Sequence, residues 1–222
     1  MKRTLAFLAA LPLAGCTTSQ GSRLPSSQEA FWDALQSHCG KAYRGQLVSD
    51  DARDADWKGR KMIAHWAACD ERKVAIAFHV EGDTANTMDD VNYNRSRTWI
   101  VTRETIANAA QTTTTRLTLK HDHRHADGEP DAVTFYGGTT ELASGSARGQ
   151  DFPVDAESIA LFRREGLDAS LNNVWRIEVD PASDPNARFA YQLTRANDST
   201  RLFRVEIDAS TPVTPPPPAW GW

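Results

Sequence analysis

Apolar and polar side chains alternate along five stretches of this chain. Met62, Ala64, Trp66 and Ala68 form one series, and Val74, Ile76, Phe78 and Val80 another. Trp175, Ile177 and Val179 alternate with Arg176 and Glu178. Phe189, Tyr191 and Leu193 alternate with Gln192 and Thr194, and Phe203, Val205 and Ile207 with Arg204 and Glu206. A strand turns successive side chains to opposite faces, so each series predicts a strand with one dry face and one wet face. Weaker alternation marks strands at Tyr43–Val48, Thr98–Thr102, Arg116–His121, Val133–Tyr136 and Thr139–Leu142. Asp127-Gly128, Gly137-Gly138, Asp184-Pro185-Asn186 and Asn197-Asp198 read as the turns between them. Two segments carry the helical period instead. Ser26 and Glu29 have capping-box spacing ahead of Phe31, Ala34, Leu35 and Cys39, with Gly40 as the stop. Asp155 caps a second helix, near 156–165, which runs through Ile159 and Phe162 to Gly166. The expected fold is mainly β: an antiparallel meander of about 8–10 strands closed into a full or partial barrel. Closure removes the exposed edges that otherwise recruit other chains.

The first residues carry a different signal. Lys2-Arg3 precede an apolar run from Leu5 to Leu13, and Leu13-Ala14-Gly15-Cys16 follows. A basic start, a short apolar stretch and small residues before the cut make a secretory signal. Ending it at cysteine resembles the lipobox of bacterial lipoproteins, in which the thiol at the position of Cys16 receives a diacylglycerol and the new amino group is acylated. The alternative is an ordinary signal with a chance cysteine. Each buried lipid CH₂ contributes about 0.8 kcal/mol, and two or more chains anchor stably. No segment offers the ~20 apolar residues of a spanning helix. Thr17 stands where that family's inner-membrane retention signal places Asp, so the resemblance implies an outer-membrane address. The expected organisation is a signal peptide over 1–15, a lipid-anchored tether over 16–27, a barrel-like domain over 28–210 and a Pro/Trp-rich tail over 211–222. Four successive prolines in that tail favour extended polyproline II, either free or with Trp220 and Trp222 docked.

Length and charge narrow the function. A chain of 222 residues fits one domain with a sizeable core. The formal net charge is −4, and −6 once Lys2 and Arg3 leave with the signal. There is no basic stripe, which excludes nucleic acid as a partner class. With Cys16 assigned to lipid, Cys39 and Cys69 remain, an even pair in an oxidising compartment. A disulfide between them is expected, the alternative being two buried thiols. No Cys-x-x-Cys spacing suggests a redox role.

Candidate chemistry centres on His121, His123 and His125, which alternate with Asp122 and Arg124. Alternate residues share a strand face about 6.5–7 Å apart, from which two imidazoles can converge on one zinc or copper ion. Three in a straight strand cannot, so a third ligand would come from a bend or from Asp127, Glu129, His65 or His79. The alternative is a polar hairpin end whose histidines sit in solvent. Asp90, Asn92, Asn94 and Ser96 start like a calcium loop, but Arg95 and Val101 stand where glycine and a bidentate glutamate belong. Hydrolase signatures are missing: Gly145 to Gly149 places Ala147, not serine, between the glycines. Glu141, Asp151, Asp155 and Glu157 could pair for acid–base work only if the fold brings them together. Trp32, Trp66, Trp99 and Trp175 lie in expected elements, as core filling or as the wall of a ligand cavity.

The segments FWDALQSHCGKAY (Phe31–Tyr43), RSRTWIVTR (Arg95–Arg103), LKHDHRHADGEPDAVTFYGG (Leu119–Gly138) and NVWRIEVD (Asn173–Asp180) together resemble an uncharacterised family of secreted proteins of Gram-negative bacteria. The likeness spans most of the mature domain, and Thr112–Thr115 departs from it. It implies an envelope setting and transfers no catalytic residue. In outline the meander is similar to calycin barrels, the lipocalin-like group. The expectation is a non-enzymatic, lipid-anchored envelope protein that binds a small ligand or a transition metal. The alternative is a structural or interaction lipoprotein of the outer membrane, with no pocket and an envelope protein as partner.

Overall fold

Strand parity organises the molecule. The computed structural model describes residues 26–82, 93–107 and 113–222. The signal, Cys16, Asp90 and Asn92 lie outside the described residues. Within them the chain forms ten strands: β1 (Ala42–Leu47), β2 (Met62–Cys69), β3 (Lys73–Glu81), β4 (Tyr93–Ala107), β5 (Thr113–His123), β6 (Tyr136–Thr139), β7 (Gly149–Pro153), β8 (Asn173–Val179), β9 (Arg188–Arg195) and β10 (Asp198–Asp208). Every pairing is antiparallel, in the order β6-β5-β4-β3-β2-β1-β10-β9-β8-β7. Because the first strand pairs with the last, the meander wraps into a nearly closed barrel with one seam, between β6 and β7.

The seam corrects one sequence expectation. Gly137 and Gly138 are not a turn between two strands; they are the middle of β6, which replaces both Val133–Tyr136 and Thr139–Leu142. Their role is close approach. A Cβ on Gly138 would lie 2.2 Å from the Pro153 carbonyl oxygen, and one on Gly137 would lie 1.8 Å from that of Leu119. With no side chains in the way, Gly138 bridges to Val154, and the Asp155 amide donates to the Gly137 carbonyl at 3.1 Å. The second helix, α2 (Ala156–Arg164), starts here, its Asp155 cap accepting from the Ser158 amide, and Ser158 Oγ accepts from the Gly137 amide at 2.7 Å. The partner strand β7 was missed by periodicity, being five residues that include Gly, Asp and Pro.

One end of the barrel is filled. The first helix, α1 (Ser27–Gln36), has the capping box its sequence announces, with Ser26 and Glu29 bonding reciprocally. It buries Phe31, Trp32 and Leu35 completely, against interior residues such as Trp66, Leu117 and Phe152. Burying a side chain of this size contributes roughly 1.5–3 kcal/mol. The Cys39–Cys69 disulfide fastens the turn after α1 to the end of β2. His38, fully buried, donates from Nε2 to the Asp180 carbonyl and accepts from the Tyr43 hydroxyl, each at 2.8 Å.

The C-terminal segment is not free. Val213 bridges to Ala42, the Trp220 amide donates to the Arg95 carbonyl, and Trp222 Nε1 donates to Asp122 at 2.9 Å. The tail therefore crosses the outer face of the sheet from β1 to β5. On that face Ile63, Ala75, Ala77, His79, Thr98 and Asp122 are buried although they point away from the barrel interior. No helix among the described residues is long and apolar enough to cross a membrane.

Candidate functional site

The end of the barrel opposite α1 keeps an open cavity of about 230 Å³. Parity delivers its walls. Phe78, Arg97, Trp99, His121, His123, Tyr136, Tyr191, Leu193, Arg201 and Phe203 are all inward positions of β3, β4, β5, β6, β9 and β10. A 3₁₀ turn, Ala52–Trp57, in the β1–β2 connection adds Asp54 and Trp57 at the rim. Near-parallel rings stack across the barrel, from the rim turn through β3 and β4 to β9: Trp57 to Phe78 at 6.3 Å between centroids, Phe78 to Trp99 at 4.4 Å, and Trp99 to Tyr191 at 4.3 Å. Phe203 meets Trp57 edge-on at 5.3 Å.

The rim turn is held by ions. Arg201 reaches Asp54 through both terminal nitrogens, with Nη2 to Oδ1 at 3.0 Å, and also contacts Asp51. Arg201 Nε, however, is buried with no hydrogen-bond partner. Arg53 bonds Asp51 and Asp198, tying the turn to the start of β10.

Arg97 is different. Its guanidinium lies 4.9 Å over the Trp57 ring and donates to Ser96 Oγ at 3.1 Å. Among the described residues it has no ion pair; Asp131 acts on it only at longer range. Burial lowers its pKa from the ordinary arginine value, yet guanidinium keeps its proton in proteins. Sequence reasoning missed this residue. Arg97 shares the parity of Trp99 and Val101, which was the available signal that it points inward.

The three candidate histidines separate. His121 is 2% exposed, and both its ring nitrogens are engaged: Nδ1 donates to the Tyr136 carbonyl at 3.0 Å, and Nε2 accepts from the Tyr191 hydroxyl at 2.7 Å. Burial pushes its pKa down to about 3 and lifts that of Tyr191 well above the usual range. His123 faces the cavity, 3.3 Å from the Tyr136 hydroxyl, and burial lowers it to about 4. His125 lies beyond the strand and is exposed. His65 and His79 are on the outer face of β2 and β3, across the sheet from His121, so neither can complete a set with it. No group of three or more His, Cys, Asp or Glu among the described residues is arranged to hold a metal ion. The alternation was read correctly; what it did not reveal is that folding commits one imidazole to a core hydrogen-bond chain.

Other candidates disperse too. Asn94 and Ser96 lie within β4 rather than in a calcium loop. Asp151 pairs with Arg176, while Asp155 and Glu157 both bind Lys120, at 2.9 and 2.8 Å. A second cleft, of about 280 Å³, lies on the outer face of β8, β9 and β10. Its arginines Arg148, Arg176, Arg188 and Arg204 are matched by Asp180, Asp184, Glu178, Glu206 and Asp151.

The mouth cavity thus combines stacked aromatic rings, imidazoles whose pKa burial lowers, and an arginine with no ion pair among the described residues. Comparison with family models, with curated proteins and with solved structures finds no match to this chain.

Proposed function

We propose that this protein is a lipid-anchored cell-envelope protein whose barrel binds a small ligand at its mouth. The observation that carries the reading is the aromatic-lined cavity left open at one end while α1 fills the other. Side chains large enough to close it are present, yet they stack on one another across the barrel and leave it open. The interaction reading loses ground because Trp220 and Trp222, its natural docking groups, are engaged with the barrel. The address rests on the lipobox-like Leu13–Cys16. It predicts that Cys16→Ser moves the chain from the membrane fraction to the soluble one and removes the acyl mass from its amino terminus.

Binding is tested by tryptophan fluorescence, since Trp57 and Trp99 report on the cavity directly. A panel of small neutral and charged aromatic compounds is expected to give saturable quenching and a raised melting temperature. Leu193→Trp, which fills the cavity, should abolish both. If no compound saturates, or if the filled variant binds equally well, the mouth is not a binding site.

A further inference from the structure

We infer that the ligand is a small monoanion, a carboxylate or similar oxyanion on a flat apolar body, and that Arg97 is its charge partner. The inference rests on the binding reading above and adds the ligand's chemical class.

Charge balance is the first argument. Three side chains lining the cavity carry charge near neutral pH: Arg97, Arg201 and Asp54. Arg201 is matched by Asp54 and Asp51. The imidazoles of His121 and His123 are neutral. Among the described residues one positive charge is left over, on Arg97. A partly buried charge without a counterion is costly unless a ligand supplies one.

Donor inventory is the second argument. A guanidinium has five N–H groups in a planar fork suited to two carboxylate oxygens. Arg97 uses Nη1 on Ser96 Oγ. Among the described residues its other N–H groups have no partner, so they can take acceptor oxygens from outside the chain. A cation would meet Arg97 as a like charge, and a neutral ligand would leave it uncompensated.

Size and shape give the third. The 230 Å³ corresponds to about eight waters at their liquid share of ~30 Å³ each. That admits a single ring with a short acidic arm. The rings of Trp57, Phe78, Trp99 and Tyr191 line the cavity and give such a ring apolar and edge-to-face contacts.

Benzoate, benzamide and benzylamine are matched in shape and differ in charge. Their affinities for the full chain at pH 7.5 are measured by isothermal titration and tryptophan quenching. Benzoate is expected to bind at least tenfold more tightly than benzamide, with benzylamine weakest. The preference should vanish in Arg97→Gln and return in part in Arg97→Lys. Equal affinity for benzoate and benzamide in the unaltered protein overturns the anion assignment but leaves the binding reading intact. So does a benzoate preference that survives in folded Arg97→Gln. Absence of binding by all three, with no compound of the wider panel saturating, overturns the binding reading itself and the assignment with it.

Discussion

Acidification from pH 7 to pH 5 should destabilise the barrel through histidines that folding keeps neutral. His121 and His79 are 2% and 0% exposed. Burial holds the first at a pKa of about 3 and the second at about 4, the latter helped by positive potential from His65 and Arg95. In the unfolded chain each titrates near its ordinary value of about 6.5. The folded values lie below the unfolded ones, so the stabilisation is complete above about pH 6.5. It is lost progressively as the pH falls toward 4 for His79 and toward 3 for His121. At 1.36 kcal/mol per unit, each costs about 2 kcal/mol by pH 5, or about 4 kcal/mol together. That is a large share of the roughly 5–15 kcal/mol that holds a domain folded. Carboxylates do not mask the effect. Hydrogen bonds from Thr200 and Arg53 hold Asp198 at about 2, and Arg53 first of all lowers Asp51, so their contributions fade only at lower pH. Urea unfolding followed by tryptophan fluorescence at pH 7, 6 and 5 measures the slope. His79 has no hydrogen-bond partner on either nitrogen among the described residues, so His79→Leu removes its titration without breaking a bond. Because burial also lowers His123, to about 4, and His38 and His65, that variant should lose only the share of His79, about 2 kcal/mol by pH 5. Stability that stays level between pH 7 and 5, or an unchanged slope in His79→Leu, would refute the reasoning.

Removing the disulfide with the double variant Cys39→Ala and Cys69→Ala, which opens a loop of sequence separation 30, should cost about 3–4 kcal/mol in the chain-entropy model; denaturant midpoints with and without reductant check it. Gly138→Ala sets a methyl against the Pro153 carbonyl and should open the seam at a cost of about 1–3 kcal/mol. Faster hydrogen exchange at the Asp155 amide is the readout, and unchanged exchange counts against the seam. Asp54→Ala takes its two-nitrogen partner from Arg201, whose side chain is 9% exposed, and leaves only Asp51 beside it, at a cost of about 1.5–3 kcal/mol. Adding Arg201→Met to it should recover part of the loss in a thermal melt, because the under-partnered buried guanidinium goes with it.

Much of the barrel was legible in the chain because most strands have one wet face and one dry face, although β3 is buried on both. The alternating series in β2, β3, β8, β9 and β10 needed no tertiary information, nor did the capping box of α1 or the cysteine pair. Legibility failed where a strand lacks alternation or where glycine has two meanings. β7 is short and polar, and Gly137-Gly138 looks the same in sequence whether it turns the chain or lets two strands touch. The site was half visible. Parity put His121 and His123 on one face with Leu117 and Leu119, but the order Arg97-Thr98-Trp99 drew no attention, since an arginine in a strand usually faces water.

The sequence by itself determined which residues share a face, where the helices begin, and which thiols can pair, because these depend on period, spacing and local hydrogen bonding. Only the tertiary structure decided that the shared face encloses a cavity, that Tyr136 and Tyr191 tie His121 into the core, and that among the described residues Arg97 has no counterion while Arg201 has two. Those outcomes depend on which strands meet across the barrel. β5 draws its partners from β6 and from β9, and Tyr191 is 70 residues from His121 in the chain. Neither the charge balance of a cavity nor its depth exists until those strands have closed around it.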